Sequence, residues 1–268
     1  MKNSFEGSVR KMRTELNNGY VSYYLPIGSN EVYMNELIGS EIKIEYTNDI
    51  HCIKCGEKTY KSFAQGFCYR CLTTAPEAEE CVLKPELCRA HEGIARDMEY
   101  AQENCLCPQI VYLAVSNNVK VGVTRHFQVP TRWIDQGATY ALAIAQVPNR
   151  YTAGIIEMEL KKYFTDKTNW QQMLKNNILA NVDLPAERRK AFSYLPQTFQ
   201  QYQIMDGAVL EIKYPVESYP TKIKSLDIEK QLVITQTLTG IKGQYLLFAD
   251  GNVTNIRKYG GYSFRLHY

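Results

Sequence analysis

The chain has 268 residues, 45% of them hydrophobic and 22% charged, and carries a formal net charge of +3. That length supports one to three packed domains, and the apolar content excludes an intrinsically disordered chain. No run approaches the roughly 18–20 apolar residues of a membrane span. The polar opening Met1-Lys2-Asn3-Ser4-Phe5-Glu6 lacks the apolar stretch of a secretion signal, so a cytoplasmic protein with no membrane partner is expected.

In chain order, residues 1–18 read as a polar helical lead-in, and 19–27 and 42–46 as strands; together they make an N-terminal strand region over 1–50. Residues 51–108 form a cysteine-rich, zinc-binding module whose second half, 86–103, reads as helix. Residues 109–115 and 119–123 are strands joined by Ser116-Asn117-Asn118. Residues 130–137 suit a helix, with Pro at the start and Gly at the end. A third strand at 141–146 and helices at 151–164 and 170–179 complete a ββαβα domain with a further helix, over 109–180. Residues 181–268 begin with a basic helix around Arg188-Arg189-Lys190 and continue as strands broken by Gly207, Gly240, Gly243 and Gly251. These strands make a small barrel or sheet, which pairing with the N-terminal strands would turn into one unit built from both termini. The fold class is α+β.

All eight cysteines lie between positions 52 and 107. In a reducing compartment such clustering favours metal over disulfides. Cys52-Ile-Lys-Cys55 and Cys68-Tyr-Arg-Cys71 are two C-x2-C knuckles, and two knuckles complete a thiolate tetrahedron around a structural zinc ion. Gly56 permits the tight turn after the first pair. Cys81, Cys88, His91 and Cys105 make a second candidate zinc site, in which Cys88-Arg-Ala-His91 has ligand spacing. Cys105 is preferred to Cys107, which abuts Pro108 and the next strand.

Charge is unevenly spread. Residues 72–108 carry Lys84, Arg89 and Arg96 against eight acidic side chains, whereas 109–178 carry eight basic ones against Asp135, Glu157, Glu159 and Asp166. The candidate chemistry falls in this basic stretch: Tyr112 on the first strand, Lys120-Val121-Gly122 and Thr124-Arg125 on the second, Arg132 on the first helix, Glu157 on the second, then Asn169.

Val111-Tyr112-Leu113 followed by Lys120-Val121-Gly122, Arg132, Glu157 and Asn169 resembles the GIY-YIG nuclease superfamily over residues 109–176. Over its full length the chain resembles a bacterial family defined by domain of unknown function 2797. The supporting runs are Pro85-Glu86-Leu87-Cys88, Lys120-Val121-Gly122-Val123-Thr124-Arg125, Arg132-Trp133-Ile134-Asp135-Gln136-Gly137-Ala138 and Asp166-Lys167-Thr168-Asn169-Trp170. The superfamily resemblance implies catalytic roles for Tyr112, Lys120, Arg132, Glu157 and Asn169, with Glu157 holding Mg²⁺ or a similar divalent ion and Arg132 facing the scissile phosphate. It departs from the superfamily at Lys120, which stands where the tyrosine of the second motif belongs, and at Gln136, near a position that many members fill with His or Tyr.

The leading expectation is a nucleic-acid-binding protein with one or two structural Zn²⁺ ions. It would contact DNA or RNA phosphates through Lys120, Arg125 and Arg132. Cleavage as a metal-dependent endonuclease is one reading of the site. Non-catalytic binding of RNA or a ribonucleoprotein by a degenerate site is a second, and a protein-interaction scaffold is a third.

Overall fold

In the computed structural model, which describes residues 3–165 and 169–268, the chain divides into two units: Met1–Thr73 with Lys213–Tyr268, and Thr74–Ile212. The division falls inside the cysteine-rich stretch 51–108. The Asp166-Lys167-Thr168 part of the last resemblance run, and Met1-Lys2, lie outside the described residues.

The first unit starts with strands β1 (Ser4–Ser8), β2 (Arg13–Asn17), β3 (Tyr20–Ile27), β4 (Asn30–Tyr33) and β5 (Glu41–Ile50), then helix α1 (Tyr69–Thr74). The second unit contains α2 (Met98–Asn104), β6 (Gln109–Val115), β7 (Val119–Arg125), α3 (Thr131–Asp135), β8 (Tyr140–Val147), α4 (Arg150–Leu160), α5 (Trp170–Leu174), α6 (Leu184–Tyr194) and β9 (Leu210–Glu211). The chain then returns to the first unit for β10 (Lys224–Ser225), β11 (Val233–Lys242), β12 (Tyr245–Phe248), β13 (Asn252–Asn255) and β14 (Tyr262–His267).

The first unit holds an open seven-stranded sheet in the order β1-β14-β5-β11-β12-β13-β10 and a three-stranded sheet β2-β3-β4. Neither closes into a barrel. Both termini supply strands, since β14 pairs antiparallel with β1 and with β5. Strand β3 shows how the sequence sets a face: Val21, Tyr23, Leu25 and Ile27 alternate inward while the residues between them stay more open. The hairpin that leads into it turns on Asn18 and Gly19, both with positive φ, a two-residue turn whose twist matches the strands it joins.

The expected helix over 1–18 is not formed; β1 and β2 occupy that stretch. Burial alternates with period two along β2, and β1 exists because β14, more than 250 residues later, offers it a hydrogen-bonding edge. The expected helix over 86–103 is likewise replaced by short 3₁₀ turns at Pro85–Leu87 and Ala90–Glu92, with only α2 helical. Gly93, at φ +78°, ends the second turn, and Asp97 starts α2 by accepting from the Tyr100 amide at 3.0 Å. Helices α4 and α5 are shorter than the sequence suggested, ending at Leu160 and Leu174.

In the second unit a four-stranded antiparallel sheet runs β7-β6-β8-β9. One face carries Val111, Leu113, Val115, Val121, Leu142 and Ile144 into a core with Ala153, Ile156 and Leu160 of α4 and Ala191 and Phe192 of α6. Cross-strand partners share a face, so Tyr112 with Gly122, and Ala114 with Lys120, lie on the other.

Candidate functional site

Three groups of side chains carry chemistry. In the first unit, the donor atoms of Cys52, Cys55, Cys68 and Cys71 all lie within 4.8 Å of one another. The Cys55 and Cys68 sulfurs are 3.9 Å apart, close to the about 3.8 Å that separates thiolates at about 2.3 Å from a tetrahedral zinc. Backbone amides already face these sulfurs: Lys54 and Cys68 donate to Cys52 Sγ at 3.4 and 3.2 Å, and Cys71 donates to Cys68 Sγ at 3.4 Å. Burial pushes the Cys52 thiol up, but the amides of Cys55, Cys68 and Lys54 outweigh it and bring it down to about 6. The donor set fits Zn²⁺, and four thiolates leave no open coordination position.

In the second unit Cys81, Cys88 and Cys105 form a buried cluster with the same spacing limit. His91 is not brought into it; its ring stacks on Tyr151 with centroids 4.4 Å apart. Cys107 also stays out, and its sulfur accepts from Gln109 Nε2 at 3.2 Å.

The third group lies in the second unit, where Tyr112, Gly122 and Lys120 share the sheet face opposite its apolar core. Tyr112 is wholly buried, and its hydroxyl donates to Gln136 Oε1 at 3.0 Å. Burial raises the Tyr112 pKa; Arg132 pulls it down, Glu157 pushes it up, and Gln136 adds a lowering hydrogen bond. Gln136 thus touches the Tyr112 hydroxyl, and the opposed charges of Arg132 and Glu157 act on it. The Trp133 ring lies 5.8 Å from that of Tyr112, and its indole Nε1 is buried without an acceptor among the described residues. Gly122 is required opposite: a Cβ there would stand 2.6 Å from the Tyr112 hydroxyl oxygen. Lys120 is 4% exposed, and burial, with Arg132 nearby, lowers its pKa to about 7. Glu157 is buried on α4 and pairs with Lys161 one turn on, at 3.3 Å.

A family model described as protein of unknown function (DUF2797) matches residues 39–264. The chain belongs to this family. No curated protein and no solved structure matches it. The DUF2797 match spans both cysteine clusters and the whole Tyr112 group, so all three lie within the family's common region.

Two further expected site residues fall elsewhere. Arg125 holds Asn104 Oδ1 with its guanidinium and lies 5.2 Å over the Phe127 ring. It sits five residues beyond Lys120 on β7, about 17 Å along the strand. Asn169 caps α5, accepting from the Gln172 amide at 3.2 Å. Sequence reasoning missed the Tyr112–Gln136 hydrogen bond and the Lys161 partner of Glu157. The second was visible as an i,i+4 Glu–Lys pair; the first needed the fold. No helix among the described residues is long and apolar enough to cross a membrane.

Proposed function

We propose that this protein binds nucleic acid and that the Tyr112 group is a phosphodiester site of the GIY-YIG kind, with a structural zinc at Cys52, Cys55, Cys68 and Cys71. The reading is supported by the buried Tyr112 hydroxyl, bonded to Gln136 and acted on by the opposed charges of Arg132 and Glu157, with Lys120 on the same sheet face. Two cationic side chains and a spare indole donor suit a phosphate, and Arg132 presents the planar fork that matches its oxygens. One buried carboxylate fits Mg²⁺, which keeps most of its waters. When bound there, the ion supplies charge stabilisation for the phosphate and the leaving oxygen.

In this reading Arg132 neutralises the phosphate. Tyr112, held by Gln136, orients the attacking water, and Lys120 takes its proton when neutral or pairs with phosphate when charged. A metal there would compete with Lys161 for Glu157 Oε2. That pair favours the second reading, in which the site binds nucleic acid and no longer cuts it: Lys161 already neutralises the one carboxylate a metal would need.

The experiment is a panel of single- and double-stranded DNA and RNA, with and without Mg²⁺, against the wild type, Glu157→Ala and Arg132→Ala. Cleavage lost in Glu157→Ala with affinity retained supports a phosphodiesterase. Binding without cleavage in the wild type, weakened in Arg132→Ala, supports the non-catalytic reading. No affinity for any substrate would sink both and leave a protein-interaction scaffold. Metal analysis checks the first cluster, which loses its zinc in Cys52→Ser.

A further inference from the structure

The segment that carries Cys81, Cys88 and Cys105 has very little core of its own. Its buried cluster consists of those three cysteines with Ala90 and Ala101, flanked by Ala95 and Leu106. Its only regular elements are 3₁₀ turns of three residues and the seven-residue α2. Two buried alanines bury too little apolar area to offset ordering some 25 residues, at about 1–2 kcal/mol each for the backbone. Segments in that position are held by staples. Three thiols cannot all pair as disulfides, but three thiolates within 4.8 Å suit a soft divalent ion.

What the staple would hold is visible in the hydrogen bonds around it. The amide of Arg150, first residue of α4, donates to the Cys105 carbonyl at 2.7 Å. Its guanidinium donates to the Cys81 carbonyl at 3.3 Å and to that of Asn104 at 3.0 Å. His91 stacks on Tyr151, the next residue of the helix. One turn along, Gly154 meets the backbone of the Pro85–Leu87 turn so closely that a Cβ would stand 2.2 Å from the Glu86 nitrogen. Every part of the cysteine segment that carries a candidate ligand therefore borders the first two turns of α4.

We propose that Cys81, Cys88 and Cys105 bind a second Zn²⁺, with His91 as the fourth ligand, and that this ion seats the N-terminal turns of α4. His91 has the C-x2-H spacing from Cys88 and gives up its stack on Tyr151 to complete the tetrahedron. Seating α4 also fixes Glu157 two turns further on; that consequence alone rests on the phosphodiesterase reading, and the metal and the helix order do not.

The test counts zinc in the full chain by elemental analysis and follows amide exchange over residues 150–160. The wild type should hold two zinc per chain, and Cys88→Ser and Cys52→Ser one each. Exchange across α4 should rise at least tenfold in Cys88→Ser and stay unchanged in Cys52→Ser. Because Cys88→Ser could misfold, the wild type is also stripped stepwise with a chelator, and loss of the second zinc should bring the same rise, reversed by adding Zn²⁺. In Co²⁺-loaded protein, His91→Ala should shift the ligand-field bands of one site only. One zinc per chain that is lost in Cys52→Ser, or loss of a second zinc without faster exchange in α4, would overturn the proposal. An unchanged cobalt spectrum in His91→Ala would overturn its four-ligand form.

Discussion

At Lys120 burial sets charge against stability. Its ammonium is buried beside Arg132, and its pKa falls from 10.5 to about 7. In the unfolded chain it titrates near its ordinary value. As pH falls from about 10.5 towards 7, the unfolded state takes up a proton that the folded state refuses, so stability is lost across that window and the loss is complete below it. At about 1.4 kcal/mol per unit the cost is on the order of a few kcal/mol. Lys120→Met is therefore expected to raise the melting temperature at pH 6, with the gain shrinking towards pH 10; a gain independent of pH would refute the burial argument. Asn169 offers a contrasting case. If its work is the helix cap, Asn169→Ala costs about 1 kcal/mol in urea unfolding and leaves any nucleic-acid affinity unchanged. Tyr112, Lys120, Arg132 and Glu157 could be singled out as candidates from their order along the chain alone. The cap at Asn169 was legible too, as an asparagine directly before the helix that starts at Trp170; the role of Arg125 was not, because holding Asn104 depends on where distant backbone ends up.

At the scale of elements, α4 links the apolar core of the second unit to its polar site. Ala153, Ile156 and Leu160 face the core, while Glu157 pairs with Lys161 and its charge acts on Tyr112. Gly154 lets the Pro85–Leu87 turn lie against the helix backbone. Gly154→Ala gains about 1 kcal/mol of helix propensity, but its Cβ would meet backbone atoms that no rotamer change can move aside. The clash should win, with a net loss of about 1–3 kcal/mol in chemical denaturation and faster exchange at the start of α4. A stabilised variant would mean that the turn is free to retreat. The strands and helices of 109–160 were readable because their apolar periods are local and strong. Those of 1–18 and 86–103 were not: β1 borrows its edge from β14, and the 80–105 segment is shaped by three cysteines rather than by an apolar stripe.

For the whole molecule, the main finding is that the second unit is inserted into the first. Sequence reasoning anticipated that strands from both ends would pair, but it divided the chain after residues 50, 108 and 180, whereas contacts divide it at Thr74 and Lys213. The second unit has its own sheet and core, so residues 74–212 produced alone should unfold cooperatively in urea. Deleting residues 262–268 removes the strand that pairs with both β1 and β5, and should unfold the first unit while leaving exchange protection in the second. Loss of protection in both units would contradict their separate cores.

That insertion also sets a timetable for synthesis. Strand β5 leaves the ribosome more than 180 residues before its neighbour β11 and more than 210 before β14. At about 5–20 residues per second, its two edges stay unclaimed for roughly 10–40 s. The Cys52–Cys71 loop, whose four cysteines lie within 20 residues, needs no distant partner, so the proposed zinc would be captured during that wait. An early-bound metal would then end β5 in an ordered knuckle while the edges of the strand, the part most exposed to pairing with another nascent chain, remain open.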